Sequence, residues 1–270
     1  MFQVAHGFAL ARKRGVRAKF VDFTMVAGRV DRVFEVACFN VQPVYLSKWK
    51  KKLLQLRIIL SKRLQKINPM LHLDVLVEDI KNQVDGLDQI CSVCSGYWQN
   101  EKHFINEIDD IQVLFSFPVQ VVPKTLMSLS DDPMSVAVHI RRGDYISDPI
   151  ARASHYVCDT EWYQRAMDEV RALLKNPRFY IFSDDKSWAS SFCQNIKDAI
   201  FVNTSTDSPA WLDMALMSKC SNFIISNSSY SWWASYLGKT GDSIVIAPKY
   251  WFPDVLTVES GLMCEGWTIL

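Results

Sequence analysis

Ser135-Val136-Ala137-Val138-His139-Ile140-Arg141-Arg142-Gly143-Asp144-Tyr145 decides how this chain folds. The stretch opens as an apolar, β-like run, and two guanidinium groups stand where that run ends and a loop begins. Arginine presents a rigid, permanently charged fork of donors that matches phosphate oxygens. In open α/β sheets, ligands bind outside the carboxyl ends of strands. An Arg pair at that place suggests an anionic ligand with more than one phosphate, and a surface ion pair is the plainer alternative.

Outward from this stretch, the C-terminal half alternates. Further β-like runs occupy 178–182, 199–202, 222–226 and 243–247, and helical patterns fill the gaps. Over 161–175, Trp162, Tyr163, Ala166, Val170, Leu173 and Leu174 form one stripe, with Thr160 as N-cap. Over 209–220, Ser208 is the expected cap and Pro209 the first helical residue. The pattern over 229–237 ends at Gly238, a natural left-handed cap. Strand–helix alternation with short connections predicts a parallel sheet covered by helices on both faces.

The first half is plainer. A helix is expected from Phe2 to Arg14, stopped by Gly15, and a short strand over 18–23. A basic helical segment covers 45–67, with Lys48, Lys50, Lys51, Lys52, Arg57, Lys62, Arg63 and Lys66 and no acidic residue. Trp49, Leu53, Leu56, Leu60 and Leu64 form a partial apolar stripe, widened by Leu54, Ile58 and Ile59. Such a helix can lie on an anionic membrane surface, or it is an ordinary domain helix with a solvated charged face. The turn-rich Ser130-Asp131-Asp132-Pro133 marks the expected boundary between domains 1–132 and 133–270.

A chain of 270 residues with 49% hydrophobic content can bury one large core or two smaller ones. A net charge of +1 gives no global field that would favour nucleic acid. Seven cysteines at irregular spacings make no disulfide framework. Cys91 and Cys94 form a lone C-x-x-C, read as reduced thiols rather than a redox pair. No signal-peptide pattern and no long uncharged apolar run are present, so a cytoplasmic location is expected. The sequons at Asn203 and Asn227 carry little meaning in that setting.

Several groups carry potential chemistry. Phe182-Ser183-Asp184-Asp185 ends the next strand, and its carboxylates could contact a sugar or nucleobase, hold a metal, or leave Ser183 or Asp184 simply to cap a helix. Asp213 sits one turn into an otherwise apolar helix. An acid buried there without a partner is costly, and the donors of a guanine base would satisfy it. Pointing to solvent or favouring the helix N-terminus is the alternative. Asn227-Ser228-Ser229-Tyr230-Ser231-Trp232-Trp233 follows a strand and opens a helix, offering N–H groups and hydroxyls to phosphate. Trp232 and Trp233 could stack on sugars, although core packing is the simpler reading. Neither a P-loop nor a dinucleotide fingerprint occurs.

Taken in order, the Arg-pair motif, Phe182–Asp185, 213–220, 227–233 and Ile246-Ala247-Pro248-Lys249-Tyr250-Trp251-Phe252 resemble glycosyltransferase family 11, whose bacterial members are α-1,2-fucosyltransferases. Gly96-Tyr97-Trp98-Gln99-Asn100-Glu101-Lys102-His103-Phe104 and Met1-Phe2-Gln3 resemble other segments of that family. The resemblance covers nearly the whole chain and is weakest over 25–90. It implies a GT-B-like α/β fold of two Rossmann-like domains facing a cleft, with the acceptor on the first and the donor on the second. It also implies GDP-β-L-fucose as donor, inversion at the anomeric carbon, no metal and no cofactor. Arg141 and Arg142 would hold the diphosphate, His139 and Asp213 the guanosine, and Ser228 and Ser229 the phosphates. Asp184, Asp185 and Asn227 complete the expected donor site.

An inverting transfer wants a base near the acceptor hydroxyl; Asp144 is the first candidate and Glu101 the weaker one. Family members usually carry a strand and a Gly-x-Gly-Asn-Gln loop before the Met-Phe-Gln at which this chain begins. A first domain without its opening strand is therefore expected. The acceptor implied is O-2 of a galactose in a surface glycan or its lipid-linked precursor, met at the inner face of the cytoplasmic membrane. A fucosyltransferase with another acceptor, or a non-catalytic GDP- or glycan-binding protein, stays compatible with the same residues.

Overall fold

In the computed structural model, which describes residues 1–21, 35–39, 41–68, 71–78, 91–118, 132–205 and 207–270, the β-like runs after residue 132 become one all-parallel sheet. The chain forms two units, 1–116 and 117–270. Ser130 and Asp131, where the sequence suggested the boundary, lie outside the described residues.

In the first unit, α1 (Phe2–Lys13) buries Phe2, Val4, Ala5, His6, Ala9, Leu10 and Ala11. Gly15 ends it with φ +65°, a conformation that costs glycine little. A Cβ on Gly7 would lie 2.8 Å from the Phe20 ring, so this glycine lets α1 lie close to β1 (Phe20–Val21). β1 pairs in parallel with β2 (Pro43–Val44). After α2 (Lys48–Ile67), β3 (Val75–Val77) pairs in parallel with β4 (Val93–Ser95), and α3 (Ile108–Leu114) follows. The expected strand over 18–23 is thus seen at Phe20–Val21, with 22–23 outside the described residues. Cys94 lies within β4 and Cys91 just before it, not at the helix start that a redox pair would want; none of the seven cysteines is joined in a disulfide.

The second unit runs β5 (Ser135–Ile140), α4 (Gly143–Ser147), α5 (Pro149–Ser154), α6 (Thr160–Leu173), β6 (Arg178–Ser183), α7 (Lys186–Cys193) and β7 (Ala199–Phe201). It continues through α8 (Trp211–Met217), β8 (Asn222–Ile224), α9 (Ser229–Gly238), β9 (Val245–Ala247), β10 (Tyr250–Phe252), β11 (Val255–Leu256) and β12 (Thr268–Ile269). β10 and β11 form a small antiparallel pair; the other strands order as β12-β9-β8-β5-β6-β7. Strands buried on both faces read as continuous apolar runs, which is why Ser135–Ile140 shows no alternation. Val136, Val138 and Ile140 pack with Phe179 and Ile181 against Trp162, Tyr163, Ala166, Met167 and Val170 of α6 and Ala189 and Phe192 of α7. Helices α8 and α9 pack together, and α9 meets the opposite face, where the His139 ring lies 5.6 Å from Tyr230.

Three sequence expectations about helix ends are corrected. Asp159, not Thr160, caps α6 by accepting from Trp162 N at 2.7 Å, and Leu173, the last residue of the helix, is exposed. Ser208 caps nothing: α8 starts at Trp211 with no side-chain cap on Ala210. Gly238 belongs to α9 rather than acting as its left-handed cap. A Cβ there would stand 2.3 Å from Ser218 O, so glycine is required by the close approach of α9 to the end of α8.

Candidate functional site

The strand order reverses between β5 and β8. The chain leaves β5 towards β6 and β7, then returns to β5's other side. Such switch points open a crevice at the strands' carboxyl ends. His139, at the end of β5, spans it: its Nδ1 lies 2.8 Å from Ser226 Oγ, just beyond β8. Its backbone oxygen accepts from Tyr163 OH at 3.2 Å. Burial, with Arg141 nearby, pulls the imidazole from its usual 6.5 down to about 3, so the ring is neutral.

The parallel register sets His139 opposite Phe182 and Ile140 opposite Ser183. The residues that follow therefore meet as two arginines against two aspartates. Arg141 Nη1 lies 2.9 Å from Asp184 Oδ2, and its Nη2 donates to Asp144 Oδ1 at 2.6 Å. The backbone N–H of Arg142 donates to Asp184 Oδ1 at 2.9 Å. Its guanidinium lies over the Trp188 ring, 4.5 Å from the centroid, with Nε 3.4 Å from Asp185 Oδ2. A Cβ at Gly143 would come within 2.5 Å of Asp184 Oδ2, so only glycine leaves room for that carboxylate. Three carboxylates face two guanidiniums here, so this is a pre-oriented ion cluster rather than a bare cationic pocket.

The cap of α7 is Asp185, accepting from Trp188 N at 3.1 Å, and not Ser183 or Asp184 as the simpler reading had it. Ser183 Oγ instead accepts from Asp185 N at 3.0 Å. Asp184 is left to the arginines, and that division of labour between adjacent carboxylates is invisible in the sequence.

Asp213 lies in the first turn of α8. Burial pushes its carboxyl above the usual carboxylate range, opposed by a hydrogen bond with Thr204 and by the charge of Lys186. Its Oδ1 is buried with no hydrogen-bond partner among the described residues. Lys186 Nζ itself donates to Thr204 O. Tyr230 ties this corner to α9, its hydroxyl donating to Ala210 O at 2.5 Å and accepting from Met214 N at 2.8 Å. That contact does for the start of α8 what Ser208 was expected to do.

At the start of α9, Ser228 is buried and accepts from Tyr230 N at 3.3 Å, while Ser229 is exposed. Asn227 Nδ2 donates to Trp251 O at 2.9 Å, and its buried Oδ1 has no partner among the described residues. Tyr145 OH donates to Asn227 O at 3.3 Å, joining this turn to the helix that carries Asp144. Trp232 and Trp233 are buried, Trp232 stacked on Tyr236 at 4.6 Å, in keeping with the core reading.

The structure thus gathers Arg141, Arg142, Asp144, Asp184 and Asp185 into one contact network, with His139 just before it on β5 bonded to Ser226, and with Asp213 and the Asn227–Ser228 turn reached through Lys186, Tyr230 and Tyr145. Glu101 lies in the first unit, in a short 3-10 helix capped by Asn100. Sequence reasoning overlooked Gly143, Lys186, Trp188, Ser226 and Tyr230. Gly143 and Tyr230 lie inside flagged motifs and Lys186, Trp188 and Ser226 beside them, but the role of each depends on a partner strand or helix.

The chain matches the model for glycosyl transferase family 11 over residues 40–270. It is 29% identical to the O-antigen biosynthesis glycosyltransferase WbnK of Escherichia coli, over 99% of this chain and 95% of that protein. It is 34% identical to an alpha-1,2-colitosyltransferase of Escherichia coli, over 58% of this chain and 55% of the relative. Against human galactoside alpha-(1,2)-fucosyltransferase 1 it is 31% identical over 44% of this chain and 32% of that one. A crystal structure of NodZ alpha-1,6-fucosyltransferase soaked with GDP-fucose aligns over 87% of each chain, with 12% identity and a TM-score of 0.45.

Proposed function

The chain belongs to glycosyl transferase family 11, and we propose that it moves L-fucose from GDP-β-L-fucose to O-2 of a galactose in a surface glycan or its lipid-linked precursor, with inversion and without a metal ion. Three relatives support this reading by name: one acts in O-antigen biosynthesis and two make α-1,2 linkages. The observation that carries it is the Arg141–Asp184 pair at the carboxyl ends of adjacent strands, in the unit that also holds Asp213, whose Oδ1 has no hydrogen-bond partner among the described residues.

The bond to fucose breaks through an oxocarbenium-like state while charge grows on the departing GDP. Donors fixed in advance are worth most where that charge develops. Asp184 and Asp144 hold the Arg141 guanidinium in place, so no reorganisation of that fork is needed at the moment of reaction. The incoming diphosphate takes the donors that Asp144 now occupies, because Asp144, 41% exposed against 26% for Asp184, is the carboxylate freer to leave. Once released, Asp144 is the base for the galactose hydroxyl. Asp213 accepts from the guanine N1–H and N2–H₂ groups, neutral His139 lies beside the guanosine, and Ser228 and Ser229 offer donors at the start of α9. The first unit takes the acceptor at the inner face of the cytoplasmic membrane.

A second reading, colitose in place of fucose, is favoured by the 34%-identical relative. Calorimetric titration with GDP in chelator, beside Arg141→Ala, tests the donor site, and transfer from GDP-fucose and from a colitose donor to galactosides tests the reaction. Metal-free binding that collapses in the variant, followed by transfer of fucose, is expected. A well-folded wild type that does not bind GDP overturns the nucleotide-sugar reading; binding without transfer of either sugar leaves a non-catalytic binding protein.

A further inference from the structure

Helix α2 is docked through its polar side chains. Leu73 N donates to Ser61 Oγ at 3.1 Å, Arg57 Nη2 donates to Leu73 O at 2.9 Å, and Gln65 exchanges hydrogen bonds with Val75 and Val77 of β3. Only Lys51 and Ser61 of its 20 residues are buried. Its large apolar residues face out: Trp49 is 63% exposed, Leu53 and Leu56 52%, Leu60 39% and Ile67 80%. Spacings of four, three, four and seven residues put these five on one face, running the length of the helix. Leu54, Ile58 and Leu64, read from sequence as part of the same stripe, are instead half-buried on the docked side. Lys48, Lys52, Arg63 and Lys66 are exposed along one flank of the stripe and Lys50 along the other, with Lys62 exposed further round the helix. The charged face and the apolar face are therefore presented together, outward.

A continuous apolar face of this kind marks an interaction surface. We propose that α2 seats this protein in the interface of an anionic lipid bilayer, lying in the membrane plane with Trp49, Leu53, Leu56, Leu60 and Ile67 entering the acyl boundary and the lysines meeting phospholipid headgroups. The charge pattern selects this occupant. A second copy of the helix would bring a chain of basic residues with no acid against its own like, whereas an anionic surface neutralises them. The aliphatic stems of Lys and Arg allow the charged ends to reach the headgroups while the backbone sits lower. No helix among the described residues is long and apolar enough to cross a membrane, so the contact is peripheral.

The test is flotation of the full chain with vesicles of phosphatidylcholine alone or mixed with phosphatidylglycerol. Wild type is expected to float with the mixed vesicles and to bind pure phosphatidylcholine at least about tenfold more weakly. Leu53→Ser with Leu56→Ser and Leu60→Ser should weaken binding to the mixed vesicles about tenfold or more, with the melting temperature unchanged. Lys48→Glu with Lys52→Glu and Lys66→Glu, which leaves the stripe whole, should do the same. Failure of wild type to float, or flotation of the triple-Ser variant equal to wild type, overturns the proposal. So does a dimer in sedimentation velocity that the triple-Ser variant abolishes, which would make the stripe an interface between copies. Vesicle binding does not depend on the transferase reading, so a GDP titration of the same samples separates failure of one from failure of the other.

Discussion

Asp184 Oδ2 stands 2.9 Å from Arg141 Nη1, and the same carboxylate accepts from Arg142 N, so one aspartate at the end of β6 fixes both arginines at the end of β5. The pair is only partly exposed, at 28% and 26%. Removing Arg141 leaves Asp184 with the Arg142 N–H alone of these two donors.

Arg141→Ala is expected to cost about 2–5 kcal/mol of transition-state stabilisation, a fall in kcat/KM of about 30-fold or more, with the fold retained. Steady-state kinetics on GDP-fucose checks it. A variant that keeps more than about a third of wild-type activity would exclude Arg141 from the donor site.

Gly143→Ala probes the same cluster through packing. The new methyl meets Asp184 Oδ2 at 2.5 Å, so the carboxylate must swing off Arg141 and Arg142. Transfer should fall about tenfold while stability changes by about 1 kcal/mol or less, since α4 tolerates alanine. Parallel thermal melts and rates decide it: equal activity would mean that the carboxylate's position is unimportant.

Asp213→Asn separates stability from function. Burial holds this carboxyl above its usual range, and Oδ1 has no hydrogen-bond partner among the described residues, so neutralising it should leave the melting temperature unchanged or higher. GDP binding should nevertheless weaken about tenfold or more, because a charged acceptor for the base is lost, while inorganic pyrophosphate binds as before. Equal losses for both ligands would count against a role in base recognition.

His139 and His6 are held neutral by burial, at about 3 and about 4 against an ordinary 6.5. Below that ordinary value the unfolded chain takes up protons that the folded chain refuses, so stability falls as pH drops from 6.5 towards 3–4. Each contributes about 1.4 kcal/mol per pH unit in that window; Asp213, raised rather than lowered, opposes them. His139→Gln should flatten the pH dependence of unfolding between neutral and mildly acidic buffer. An unchanged slope would show that His139 is not protonated on unfolding.

What the sequence determined by itself was local and periodic. The apolar runs set β5 through β9 to within a few residues, because the central strands β5, β8 and β9 are buried on both faces and need an unbroken run, and the stripe of Trp162, Tyr163, Ala166 and Val170 set α6. Gly15 as a helix stop was equally legible, since its positive φ is a property of that one residue. Tertiary structure decided everything that depends on a partner far along the chain. Register across β5 and β6 gave Asp184 to the arginines and left Asp185 to cap α7. Close approach to Ser218 O, not a turn, explains Gly238. On α2 a single apolar pattern was divided in two, because the hydrogen bonds that Arg57 and Gln65 donate to Leu73 O and Val75 O, and that Ser61 accepts from Leu73 N, chose which side of the helix faces in. Helical periodicity says which residues share a face; only the neighbour that the face meets says whether it is buried.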